Sequence, residues 1–87
     1  MKHIYAFTIS TKEKYYEEGD CIAGKDGDLI GRVLHCMKVG IDPNETYYSY
    51  DVESTPEYFE KLKAGYQLFK VKEYSVHECS TYYTRGN

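Results

Sequence analysis

Two apolar runs, Cys21-Ile22-Ala23-Gly24 and Leu29-Ile30-Gly31-Arg32-Val33-Leu34-His35-Cys36-Met37-Lys38-Val39, are separated by a short polar stretch centred on Asp26-Gly27. An Asp-Gly pair between apolar runs is the strongest local signal for a β-hairpin, because a type I′ turn needs positive φ at both central residues. The chain therefore contains an antiparallel pair with Asp26-Gly27 at its tip. On the second arm, simple alternation puts Leu29, Val33, Met37 and Val39 on one face with His35. Ile30, Arg32, Leu34, Cys36 and Lys38 fall on the other.

Further strand signals flank this hairpin. Lys2 to Ser10 is rich in β-branched and aromatic residues and apolar on both faces, as a central strand would be. The polar run Thr11 to Asp20 breaks the pattern and reads as a loop exposing Tyr15 and Tyr16. Asp42-Pro43-Asn44 marks a turn. In Thr46 to Glu53, Tyr48, Tyr50 and Val52 share one face, and Tyr47, Ser49, Asp51 and Glu53 share the other, so Tyr47 is expected to face solvent or a partner. Ser54-Thr55-Pro56-Glu57 is a helix start: a hydroxyl cap, a proline where the missing N–H costs nothing, and a carboxylate at the positive end of the dipole. Tyr58, Phe59 and Leu62 form the apolar stripe, and Gly65 stops the helix. Tyr66 to Thr84 reads as one long strand, with a change of phase that predicts a bulge near Lys72-Glu73.

These elements predict an α+β fold over residues 1–87 as a single domain. It is a small antiparallel β-sheet, or an SH3-like curled barrel, of about five strands, with one short helix over about 55–64 before the last strand. The segment from Gly19-Asp20-Cys21-Ile22 through Asp28-Leu29-Ile30-Gly31-Arg32-Val33 resembles the opening hairpin of SH3-like small barrels. That resemblance implies a barrel-like curl with an aromatic-lined groove, and it carries over no binding residues.

Composition bears on function. Eleven tyrosines stand against three phenylalanines and no tryptophan. A tyrosine ring is apolar but its hydroxyl needs a partner, so a surplus points to core margins and contact surfaces. Parity assigns Tyr5, Tyr48, Tyr50, Tyr58 and Tyr74 to the core margin. It leaves Tyr15, Tyr16, Tyr47, Tyr82 and Tyr83 as the expected partner-binding residues, with Tyr66 unassigned. Fourteen acidic residues against eleven scattered basic ones, a net charge of -3, argue against a general nucleic-acid binder. The three cysteines, odd in number and widely spaced, predict a reducing, cytoplasmic setting rather than a secreted disulfide framework. No run approaches the roughly 20 apolar residues that span a bilayer, so no membrane is expected.

No constellation carries recognisable chemistry. His35, Cys36, His77, Cys79 and Cys21 could supply zinc ligands, yet only His77 and Cys79 are spaced to share a face, and no metal or cofactor is predicted. Cys-His nucleophilic catalysis, a calcium loop at Asp20, Asp26 and Asp28, and a phosphate loop at Gly24, Gly27 and Gly31 each lack their remaining parts. The expected function is non-enzymatic: a protein-binding module, an inhibitor or accessory of the kind phages and mobile elements encode, using tyrosine anchors. The alternative is a single-stranded nucleic-acid or nucleotide binder that stacks bases on tyrosines, with Lys70, Lys72 and Arg32 on phosphates. A homodimer through an exposed edge strand is a further expectation.

Overall fold

The order of elements in the computed structural model, which describes residues 2–86, is β1 (Lys2–His3), β2 (Ala6–Thr11), β3 (Cys21–Ala23), β4 (Leu29–Val39), β5 (Tyr47–Glu53), α1 (Pro56–Lys63), β6 (Ser75–Glu78) and β7 (Thr84–Arg85). Five strands form an antiparallel sheet in the order β3-β4-β5-β2-β6, and β1 pairs with β7 in a separate two-stranded ribbon. The fold is α+β. Of the two expected forms, the open sheet is the one observed, with β3 and β6 at its edges rather than closed on each other.

Strand β2 lies between β5 and β6, and consecutive residues Phe7, Thr8 and Ile9 are all buried. This explains why its sequence is apolar on both faces. The expected single strand from Lys2 is broken at Ile4-Tyr5, where the chain leaves the main sheet so that Lys2 and His3 can pair with Arg85 and Thr84. Opposite, β5 keeps strict alternation, with Tyr50 and Val52 fully buried. The core gathers Phe7, Ile9, Ile22, Val33, Tyr50 and Val52 from the sheet. Each aliphatic member removed from water contributes about 1.5–3 kcal/mol.

One side of the sheet is roofed by three pieces. Helix α1 brings Phe59, whose ring centroid lies 5.6 Å from that of Phe7, and Leu62. Segment 66–74 brings Leu68 and Val71, and the loop before β3 brings Tyr16. The helix is bounded as its sequence predicts. Thr55 Oγ1 accepts from the Tyr58 N–H, and Gly65 N–H and Tyr66 N–H donate to the carbonyls of Leu62 and Lys61, a Schellman stop. Among the described residues no helix is long and apolar enough to cross a membrane.

Four expectations are corrected. The hairpin turn is not type I′: Gly27 alone has positive φ, +88°. Gly27 N–H donates to Gly24 C=O and Gly24 N–H to Asp28 C=O, so the loop is the three residues Lys25-Asp26-Gly27, with the left-handed residue last. Strand β4 does not alternate simply. Its register shifts against β3 between Ile22 and Ala23, and against β5 between Val33 and His35. The first bulge lets Ile30 and Val33 both turn inward; the second, at Leu34, puts Cys36 rather than Met37 on the core side. The loop 11–20 is not fully exposed, since Tyr16 is 3% accessible. Finally, 66–84 is not one bent strand. Only Ser75–Glu78 and Thr84–Arg85 are strands, and 66–74 is an irregular crossing held by Tyr74, whose hydroxyl donates to the carbonyls of Leu62 and Tyr66.

Candidate functional site

Opposite the roof, among the described residues, no helix packs on the second face of the sheet. Alternation and the Leu34 bulge send Thr8 and Ser10 of β2, Tyr47, Ser49, Asp51 and Glu53 of β5, and His35, Met37 and Val39 of β4 to this outer face, with Ser75 and His77 of β6. The register aligns His35 with Asp51, Asp51 with Thr8, and Thr8 with His77, so a polar row runs across four strands. Its centre is covered by the C-terminal strap. Tyr83 hydroxyl donates to Asp51 Oδ2 at 2.6 Å, Thr8 Oγ1 donates to Asp51 Oδ1 at 2.9 Å, and Arg85 Nη2 meets both Glu53 carboxylate oxygens at 2.7 and 2.6 Å. Burial, and then the hydrogen bond to Asp51, push the Tyr83 phenol well above its ordinary range. At the ends of the row His35 Nδ1 lies 2.9 Å from Glu18 Oε1, and His77 Nε2 lies 3.2 Å from Ser10 Oγ.

The row's chemistry is that of a latch. Asp51 accepts one hydrogen bond on each oxygen, from Thr8 and from Tyr83, and Thr8 is buried. Among the described residues, no three His, Cys, Asp or Glu side chains gather to hold a metal ion. The strap is tied at its other end as well: Tyr82 hydroxyl lies 2.5 Å from His3 Nδ1, the two rings packing edge to face.

The five tyrosines expected to bind a partner do not form one surface. Tyr47 is exposed on the outer face and Tyr82 on the strap, with 41% and 73% of their surface accessible. Tyr83 is half-buried in its bond to Asp51. Tyr15 is half-buried beside the core, its N–H donated to the Tyr50 hydroxyl at 2.9 Å and its own hydroxyl to Glu13. Tyr16 is a core residue: its ring meets Tyr50 edge to face at 5.4 Å, Lys70 Nζ sits 4.7 Å from the ring centre, and its buried hydroxyl has no partner. Burial raises the Tyr16 phenol to about 12. Its expected exposure is therefore overturned, because the loop folds back over the sheet end. Tyr5, assigned to the core margin, is exposed instead.

Sequence reasoning missed the apolar residues that do face solvent. Met37 lies diagonally across β4 and β5 from Tyr47, whose direct partner is Val39, so the three share the outer face beyond the strap. Unbroken alternation groups Met37 and Val39 with the buried Val33, and no local feature marks the bulge at Leu34 that separates them. At the other end, Phe69 N–H donates to Ala23 C=O while Ala23 pairs with Leu29, which sets Phe69, Ala23 and Leu29 side by side with both large side chains exposed. No family model matches the chain, and no curated protein or solved structure does either.

Proposed function

We propose that this chain is a non-enzymatic protein-binding module whose contact is made by the open end of the outer sheet face, with Tyr47 and Met37 as anchors. One observation carries the reading. A sheet face without a helix exposes a tyrosine and a methionine as diagonal neighbours, flanked by Val39, Ser49, Ser10 and Ser75. Tyr and Met are enriched where surfaces meet, and a ring with few rotatable bonds costs little entropy to fix. Serines around such anchors supply hydrogen-bonding groups with little bulk. An odd, scattered set of thiols suits a reducing compartment, and we place the module in the cytoplasm, where it would act as an inhibitor or accessory by occupying a partner's surface.

The test is affinity capture from the native cell with wild type and the double variant Tyr47→Ser/Met37→Ser. The reading expects a protein retained by wild type and lost from the variant, while circular dichroism shows the variant folded. Retention by both would remove this surface from the proposal. Strand β6 pairs within the chain to β2, and its other side forms the sheet edge. Sedimentation of the purified protein at rising concentration decides whether that edge supports a homodimer.

A further inference from the structure

A cleft of about 330 Å³ opens where segment 67–72 runs beside the end of β3, and its walls carry Lys25, Lys70, Lys72, Phe69 and Gln67. We infer that this cleft binds a nucleotide unit, with its base stacked on Phe69 and its phosphate among the three lysines. Among the described residues no carboxylate lines the cleft, although the chain carries fourteen acidic residues. A second basic cleft, at Lys12, Lys14 and Lys38, is a weaker anion site: Glu13 lines it and Glu17 holds Lys14 at 3.2 Å.

The backbone here is fixed by a short antiparallel ladder. Lys25 N–H donates to Gln67 C=O, Phe69 N–H donates to Ala23 C=O, and Gly24 bridges Leu68. Leu68 and Val71 are buried, which anchors the segment and leaves the Phe69 ring 72% exposed between them. Lys70 is held over the Tyr16 ring, so one ammonium is already oriented before a ligand arrives. Phe69 has the exposed Leu29 beside it as well as the cleft's three lysines, and because lysine is depleted from the cores of protein interfaces the cleft itself is a poor protein anchor. Ring and lysines together are the working unit of single-strand binding, a stacking platform beside phosphate-neutralising cations. The Gln67 side-chain amide, both donor and acceptor, can meet a base edge.

The phosphate and base could belong to a free nucleotide or to a single strand, and two probes separate these sources. Fluorescence anisotropy of a labelled oligothymidylate at low salt reports the strand, and competition by ATP reports the free nucleotide. For the strand, three lysine contacts predict that log K falls against log salt with a slope of about -2, since each single-strand phosphate contact contributes about -0.7. Phe69→Ala should weaken binding roughly 5- to 150-fold with the slope unchanged, and Phe69→Tyr should restore it, as expected of a stacking platform. Lys72→Gln should reduce the slope by about 0.7. Both positions are exposed, so the three variants should fold, which circular dichroism verifies. The inference is overturned if neither probe binds at low salt, if Phe69→Ala and Lys72→Gln leave binding intact, or if binding is lost only on replacing Lys12 and Lys38. A protein captured through Phe69 with no response to either probe would also overturn it.

Discussion

Replacing Tyr16 by phenylalanine removes a single oxygen, and the structure says that this oxygen is a liability. The Tyr16 hydroxyl is buried without a hydrogen-bond partner, while its ring keeps the edge contact to Tyr50 and the Lys70 cation, both of which phenylalanine retains. An unmade buried hydrogen bond costs about 1–3 kcal/mol, so Tyr16→Phe should stabilise the fold by about 1–2 kcal/mol after the lost packing of the oxygen is allowed for. For a domain of this size each kcal/mol raises Tm by about 4–8 °C. The alkaline limb gives a second reading. The folded phenol sits near 12 against 10.0 for the free group, so the neutral form is favoured by folding; its contribution is complete below pH 10 and is lost as pH rises from 10 to about 12. That displacement corresponds to about 2–3 kcal/mol. Urea unfolding followed by far-ultraviolet circular dichroism, repeated from pH 7 to 11.5, should show the variant more stable at neutral pH and its advantage growing above pH 10. As the contrast, Tyr50→Phe should destabilise by about 1–3 kcal/mol, because the Tyr15 N–H loses its acceptor. Equal stability of Tyr16→Phe and wild type with parallel alkaline limbs would mean that the hydroxyl reaches water, and would return Tyr16 to the surface.

Two more substitutions test the elements that position the outer face. Tyr83→Phe should release the strap at a cost of about 1–2 kcal/mol, discounted from the value for a fully buried bond to a carboxylate, and amide exchange should quicken at Ile4, whose N–H is donated to the Tyr83 carbonyl. Exchange at Ile4 unchanged from wild type would show that Asp51 does not hold the strap. Gly31→Ala should be far more damaging, at about 3 kcal/mol or more, since a Cβ there would lie 2.1 Å from the Glu53 carbonyl oxygen and 2.9 Å from Val52 Cγ1. A thermal melt within a degree or two of wild type would refute the close approach of β4 to β5.

Features decided by neighbouring residues were legible in the sequence. The N-cap at Thr55, the stop at Gly65, the hairpin arms around Lys25-Asp26-Gly27, and the parity of Tyr47 to Glu53 all follow from local backbone chemistry, and the structure bears them out. The outer face was only half legible. Its β5 residues are assigned correctly, but Met37 and Val39 are grouped on one face with the buried Val33, because a bulge at Leu34 depends on how β4 must fit two partners at once. Tyr16 failed for a related reason: an acidic loop reads as exposed until the end of the sheet beneath it, contributed by Tyr50 some thirty residues later, is known. Segment 66–74 failed because its apolar residues serve as a roof, where burial follows the shape of the sheet below and no period survives.

The tyrosine surplus has a physical explanation in the same irregular segments. Three irregular stretches of the chain are tied by phenols: the loop before β3 by Tyr50, the crossing 66–74 by Tyr74, and the strap by Tyr83 to Asp51 and Tyr82 to His3. A chain of this size buries too little apolar surface to hold long irregular segments by packing alone. A tyrosine answers both needs, since its ring adds to a thin core and its hydroxyl satisfies a backbone group or a carboxylate that has no sheet or helix partner. Phenylalanine at these positions would fill the volume and leave Tyr15 N–H, the Leu62 carbonyl and Asp51 each short of a bond. Most of the surplus is thus consumed in building the fold, which narrows the residues free to recognise another molecule. Tyr47 remains on the open sheet face, and an exposed phenylalanine, Phe69, lines a separate cleft with three lysines, so the two exposed aromatics sit in surroundings of different character.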